Sequence, residues 1–413
     1  MSPFEIGAFL IGLSALFGYI NHRYLRAPHT IGLVLIALAA SLALLAVESF
    51  VPAANIDALI VGVLGGIDFH DTLMHGMLSF LLFAGALHVD LSALRRRYRT
   101  IGLMATAGTL VSALVIGAAT WLLAGWAGHP IPFVWALVFG ALISPTDPVA
   151  VLALFRTVPV PPSLKVTLAG ESLFNDGVGV VVFTLILGVA VQGGEPSILH
   201  IGELFAVEVL GGAVLGLIAG YACYRTMHHL DEPNLEVLIT LAAVMVTYAA
   251  AIRLHASGPI AMVVAGLFIG NKGMQYAVSE RSRDYLQKFW TLLDEILNSV
   301  LFLLIGLEVL IIARTGSDYW IGVLVIPVTL AGRWLSVFLS IAAMRRWEAF
   351  TRGAVPVLTW GGLRGGIAVA LALSLPANEF RPLILHITYV VVLFSIIVQG
   401  LTVTRLIRRV IRT

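Results

Sequence analysis

The chain is written almost end to end as apolar runs of about twenty residues, each closed by a short polar connection. In lipid every backbone N–H and C=O must find its partner inside the protein, which leaves helices and closed barrels as the spanning structures. Uninterrupted runs of this length are the signature of helices. Composition agrees, with 59% of residues hydrophobic and 12% charged, against about 45–50% and 25% in a soluble domain. A water-soluble chain of 413 residues could not hide so much apolar surface. Soluble enzymes, nucleic-acid-binding proteins and disordered scaffolds are excluded on that ground. The single Cys223 rules out an internal disulfide, a Cys-ligated metal site and a redox pair. Residues 1–10 (MSPFEIGAFL) lack the basic start and small-residue cleavage site of a removable signal, so they are expected to open the first span.

Spans are expected at about 5–21, 30–47, 69–89, 100–125, 132–155, 164–190, 202–224, 236–252, 258–271, 290–312, 319–343, 354–376 and 384–407. This is an all-α polytopic membrane protein of about thirteen transmembrane helices, a single membrane transporter domain over residues 1–413. The basic residues check the count. Connections after odd-numbered spans are rich in them, as at Arg23 and Arg26, Arg95 to Arg99, and Arg345 to Arg352, and so is the tail from Arg405 to Arg412. Connections after even-numbered spans hold only Arg253, Arg314 and Arg381. The positive-inside rule then places the N-terminus outside and the C-terminus in the cytoplasm of a plasma (inner) membrane. An even number of spans would scramble the alternation.

Two spans look broken. The fifth carries Ser144-Pro145-Thr146-Asp147-Pro148 at its centre, and each proline removes a donor and frees a carbonyl about one turn back. The carbonyls at risk are those of Ala141 and Ser144. The twelfth carries Trp360-Gly361-Gly362-Leu363-Arg364-Gly365-Gly366. An offset of seven spans reverses membrane orientation, the layout of inverted six-helix repeats with paired discontinuous helices in secondary transporters. Spans 1–6 and 8–13 would be the repeats, with span 7 joining them.

Charges inside apolar spans cost a few kcal/mol each and mark a pathway, a partner pair or a water-filled cavity. Arg333, Arg364, Asp147, Glu171 and Asp176 are such charges. The densest segment is Gly170-Glu171-Ser172-Leu173-Phe174-Asn175-Asp176-Gly177. On a helix Ser172, Asn175 and Asp176 share one face, at i, i+3 and i+4. A hydroxyl, an amide and a carboxylate are hard oxygen ligands suited to a small cation, and carbonyls freed at Pro145–Pro148 could join them. A polar patch that merely glues helices is the alternative. Three acids, two breaks and two intramembrane arginines weigh against it.

ISPTDPVAVLALF, then GESLFNDGVGVVVF, then WGGLRGGIAVALAL together resemble the monovalent cation:proton antiporters of the sodium/proton exchanger branch (NhaP-type), in order and spacing, across the whole membrane domain. The resemblance implies thirteen helices, a homodimer, and a core unit moving against a scaffold. The core would be approximately residues 98–192 and 318–413; the scaffold and dimer contact approximately 1–90 and 200–312. Asp176 resembles the carboxylate that binds cation or proton, Ser172 a side-chain ligand, and Thr146 a ligand acting through its carbonyl. Asp147 resembles the acid at the helix crossing, and Asn175 the amide that precedes the key carboxylate in electroneutral members. Glu171 and Arg333 resemble a structural ion pair, and Arg364 the charge at the second crossing. One departure stands out: many relatives place an acid in the third span before the glycine that Gly85 matches, where this chain has Ala84.

The expected function is antiport of Na+, or Li+, for H+, electroneutral and by alternating access. This is transport without covalent chemistry, so no enzyme activity, no cofactor and no nucleic-acid partner is implied; the transported Na+ is the metal held by Asp176, Ser172, Thr146 and Asp147. The alternatives are K+/H+ exchange on the same scaffold, a gated cation channel, and an organic-anion symporter drawn to Arg364. Membrane lipid is the expected surroundings, with the Arg405 to Arg412 tail on anionic headgroups.

Overall fold

A computed structural model describes residues 2–50, 72–155, 158–193, 198–312 and 319–411. Arg156, Arg314, Arg412 and the first residues expected in the third span lie outside the described residues. Helices occupy all thirteen expected places: α1 (Phe4–Leu25), α2 (His29–Glu48), α3 (Leu78–Leu87), α4 (Tyr98–Trp126), α5a (Phe133–Ile143) and α5b (Val149–Leu154). There follow α6 (Pro162–Gln192), α7 (Gly202–Met227), α8 (Pro233–Arg253), α9 (Gly258–Phe268), α10 (Glu280–Leu307) and α11 (Trp320–Met344). The last are α12a (Ala354–Gly361), α12b (Gly366–Leu373) and α13 (Arg381–Val410). Nine of these, among the described residues, are single helices long and apolar enough to cross a bilayer.

Ends follow from local chemistry. Helix α8 opens on Pro233 and α6 on Pro162, and α9 carries Pro259 as its second residue, positions where the missing N–H has no helical partner to lose. Ser257 and Ser279 cap α9 and α10 by accepting from Ile260 and Ser282 N–H groups. The tenth helix starts at Glu280 rather than near 290. Hydropathy locates where lipid contact begins, whereas the Ser279 cap sets where the helix begins, so Arg281, Arg283 and Lys288 lie on its first turns instead of in a connection.

Connections that follow odd-numbered helices meet on one side. Arg97 pairs with Glu348 at 3.4 Å and donates to the Ala349 carbonyl, and Asn271 bonds both Val89 and Leu91. On the other side Trp135 packs against Phe380 and Trp126 against Trp320. These contacts agree with the alternation inferred from charge.

Helices pack through small residues, because lipid provides no hydrophobic drive to bring them together and close backbone approach supplies the dispersion instead. The tightest seam joins α4 and α5a. A methyl group on Gly140 would lie 2.1 Å from the Ala113 carbonyl oxygen, and one on Gly117 3.0 Å from that of Ala136. Gly140→Ala is expected to force the two backbones apart at a cost of about 1–3 kcal/mol, lowering the melting temperature in detergent. A melting curve that matches the parent's would show that the seam can yield.

Candidate functional site

The fifth and twelfth helices stop near the middle of the bundle and cross there. Their breaks pair as a single antiparallel bridge, with the Asp147 N–H donating to the Leu363 carbonyl at 2.8 Å. Two chain segments running in opposite senses, seven spans apart, is the geometry that an inverted repeat would create at its axis.

Each break must satisfy backbone groups that helix hydrogen bonding leaves open inside the bundle. In the first, Ser144 N–H turns back to the Ala141 carbonyl at 3.3 Å and Thr146 N–H donates to Asn175 Oδ1 at 3.3 Å. Val149 N–H, at the start of α5b, donates to Asp147 Oδ1 at 2.9 Å. The carbonyls that end α5a are taken by an arginine: Arg364 Nη1 donates to Ser144 O at 2.5 Å and to Pro145 O at 2.9 Å. The second break is treated the same way. Arg333 Nη2 donates to the Leu358 carbonyl at 3.1 Å, and Gln399 donates to that of Trp360. The Arg364 N–H donates to Ser395 Oγ at 2.9 Å. Positive guanidinium groups thus sit at both half-helix C-termini, where the dipole is negative. Asp147 sits at the opposite ends: besides Val149 it faces Gly365, where a Cβ would stand 2.2 Å from Asp147 Oδ2.

Helix α6 runs beside the crossing. Ser172, Asn175 and Asp176 do share a face, and all three are buried. Ser172 Oγ and Thr146 Oγ1 are 2.9 Å apart, and Asn175 Nδ2 donates to Thr146 Oγ1 at 2.9 Å. The Asn175 amide is therefore occupied on both sides by Thr146 and latches α6 to the break. Glu171, turned aside, forms a two-pronged pair with Arg333, one contact being Nη2 to Oε2 at 2.9 Å. Their relative exposures of 1% and 3% put the pair out of reach of solvent. Asp176 differs from both other acids. Only 7% exposed, it receives no hydrogen bond and no cation among the described residues.

The structure brings together Asp176, Asp147, Ser172, Thr146 and Asn175 at one crossing, with Arg364 and the Glu171–Arg333 pair around it. One expectation changes. The freed carbonyls of Ala141 and Ser144 are already engaged, by Ser144 N–H and by Arg364, so they are not spare ligands. Gly85 packs 3.9 Å from Leu173 beside the site, and Ala84 next to it is buried. Sequence reasoning missed Ser395 and Gln399, which hold the second break; their i, i+4 spacing in an apolar span was the available signal. It also missed that Arg333 serves a helix end as well as Glu171.

Glu171→Gln would strand a buried guanidinium at about 3–5 kcal/mol. The melting temperature in detergent is expected to fall clearly while ion preference stays as in the parent. Unchanged stability with a switched preference would place Glu171 in the transport path instead.

The profile of the family described as sodium/hydrogen exchanger, transmembrane, matches residues 12–409. The chain is 45% identical to the Na(+)/H(+) antiporter NhaP of Pseudomonas aeruginosa, over 98% of its own length and 96% of that protein's. It is 32% identical to the Na(+)/H(+) antiporter NhaH of Halobacillus aidingensis, over 94% and 93% of the two chains. In three dimensions it superposes on the sodium proton antiporter MjNhaP1 of Methanocaldococcus jannaschii with a TM-score of 0.76, at 20% identity and 99% coverage of both chains. Broken helices, buried arginines and overall similarity converge, and the chain belongs to the sodium/hydrogen exchanger family.

Proposed function

We propose that this chain is a secondary antiporter exchanging Na+, or the smaller Li+, for H+, one for one, by alternating access. Asp176 carries the reading: among the acids of the crossing its carboxylate alone is uncommitted among the described residues, beside the oxygens of Ser172 and Thr146. A carboxylate in that position holds a proton or a cation in turn, and binding of either expels the other. Asp147 and the Thr146 carbonyl complete a hard-oxygen set for a small cation. The curated relatives above are named for Na+ and H+, which favours this over K+ exchange, a channel or an organic-anion symporter. Na+ is cargo in this scheme, and no cofactor takes part.

One charge per cycle follows from what is already committed. Glu171 is matched by Arg333, Asn175 carries no proton to exchange, and Asp147 lies at helix N-termini that favour negative charge. Asp176 is left as the exchanging group.

Residues of about 98–192 and 318–413 would move against a scaffold of about 1–90 and 200–312, the scaffold also joining two copies into a homodimer. The packing supports this division. Within each unit, helices approach backbone to backbone: Cβ atoms on Gly140, Gly216 and Gly270 would meet the carbonyls of Ala113, Ala261 and Leu87 at 2.1–2.3 Å. Between units, Gly177, Gly366 and Gly400 face the ends of Ile260, Leu301 and Ile31 side chains, which can rotate as one surface passes the other. The basic connections support an external N-terminus and a cytoplasmic tail in the plasma (inner) membrane.

The test uses purified protein in liposomes with a pH dye. Apparent Na+ affinity is expected to weaken as pH falls, because protons compete for Asp176, and Asp176→Asn is expected to abolish exchange. Initial rates under a fixed Na+ gradient are expected to ignore an imposed membrane potential of either sign. Robust exchange by Asp176→Asn would remove Asp176 from its role. A sustained Na+-dependent current would refute the one-for-one stoichiometry and bring in Asp147 as a second proton carrier.

A further inference from the structure

The turn between α1 and α2 holds a cavity of about 590 Å3 lined by Gly18, Asn21, Ala27 and the basic side chains of Arg23, Arg26, His22 and His29. It lies far from the ion site in the chain and plays no part in the mechanism above. The turn is built rather than loose. Asn21 is 3% exposed, and its amide bonds the Ala27 backbone in both directions, at 3.0 and 3.2 Å. Arg26 N–H closes on the Asn21 carbonyl at 2.7 Å, with Arg26 in the left-handed region at φ 53°. Gly32 leaves room for that amide, since a Cβ there would stand 2.2 Å from Asn21 Cγ. His29 is fixed by Ser299 at 2.9 Å.

Neither arginine has an acidic partner among the described residues, in contrast to Arg97 and Arg333, which do. Arg23 instead lies over the Tyr24 ring at 5.8 Å. Tyr24, Leu25, Tyr19 and Leu16 are exposed around the same end of α1, an apolar and aromatic margin of the kind found at the headgroup level. The turn follows an odd-numbered span, so it opens on the side that carries Arg95 to Arg99.

We propose that this cavity binds the phosphate headgroup of an anionic phospholipid from the leaflet on that side. The two guanidinium groups, without an acidic partner among the described residues, take the phosphate with the geometry that suits bidentate contact, while the acyl chains lie along Leu16, Tyr19 and Leu25. The exposed apolar margin favours a lipid over free phosphate.

The experiment titrates purified protein in neutral detergent with dioctanoyl phosphatidylglycerol, dioctanoyl phosphatidylcholine or inorganic phosphate, read by thermal shift and by native mass spectrometry of retained lipid. Saturable stabilisation by the phosphatidylglycerol alone is expected. The double variant Arg23→Gln/Arg26→Gln is expected to bind it about thirtyfold more weakly, at roughly fivefold per arginine near an anionic headgroup. Arg23→Lys/Arg26→Lys is expected to bind more weakly than the parent and more tightly than the glutamine variant, because an ammonium keeps the charge and loses the bidentate contact, and Arg405→Gln/Arg408→Gln is expected to bind as the parent does. Equal binding by the glutamine variant overturns the proposal. So does a parent that prefers neither lipid, a measurement that needs no variant to fold. Displacement of phosphatidylglycerol by inorganic phosphate at equal concentration overturns the lipid assignment and leaves a free-phosphate site.

Discussion

A helix that stops inside a bilayer leaves its last carbonyls and first N–H groups where no water can satisfy them, and here two helices do so at the same depth. The architecture around the crossing answers that demand. Arg364 covers the end of α5a, Arg333 and Gln399 cover the end of α12a, and Asp147 faces the starts of α5b and α12b. Each break also borrows from the other, through the Asp147–Leu363 bridge. Arg333, Arg364 and Asp147 are held by the backbone they serve, which offsets the few kcal/mol that each would otherwise cost in lipid.

This arrangement also determines what remains for transport. Helix α6 is tied to the first break through Asn175, Thr146 and Ser172, and toward the second through Glu171 and Arg333. Any motion of α6 therefore carries both breaks with it. With the arginines committed to carbonyls and to Glu171, the Asp176 carboxylate is left without a hydrogen bond or cation among the described residues. A site that must release its ion on either side gains from such economy, since a second mobile charge nearby would alter both affinity and stoichiometry.

The seams between helices are of two kinds. Backbone-to-backbone seams such as Gly140 on Ala113 cannot shift by a fraction of an ångström without a clash, while Gly366 against the Leu301 side chain meets atoms that can rotate away. Close packing of this kind transmits displacement as whole bodies rather than as local strain.

Much of this was legible in the chain itself. Thirteen apolar runs, the two proline- and glycine-broken spans, and the alternating basic connections are properties of adjacent residues, and lipid leaves backbone so little choice that hydropathy alone locates the helices. The face shared by Ser172, Asn175 and Asp176 follows from helical period. Ends were less legible: α10 begins ten residues before its apolar run because a serine cap, not lipid, starts it. Partners were not legible at all from spacing. Arg364 meets Ser144 across 220 positions and Arg333 meets Glu171 across 162. Which carbonyl a guanidinium reaches depends on how whole helices cross, so the tertiary structure alone decided that the Ser144 carbonyl would be capped by Arg364 rather than left to bind an ion. Sequence determined the helices and their chemistry because those arise from neighbours and from the solvent; the fold decided which charges meet a partner among the described residues and which carbonyls they cover.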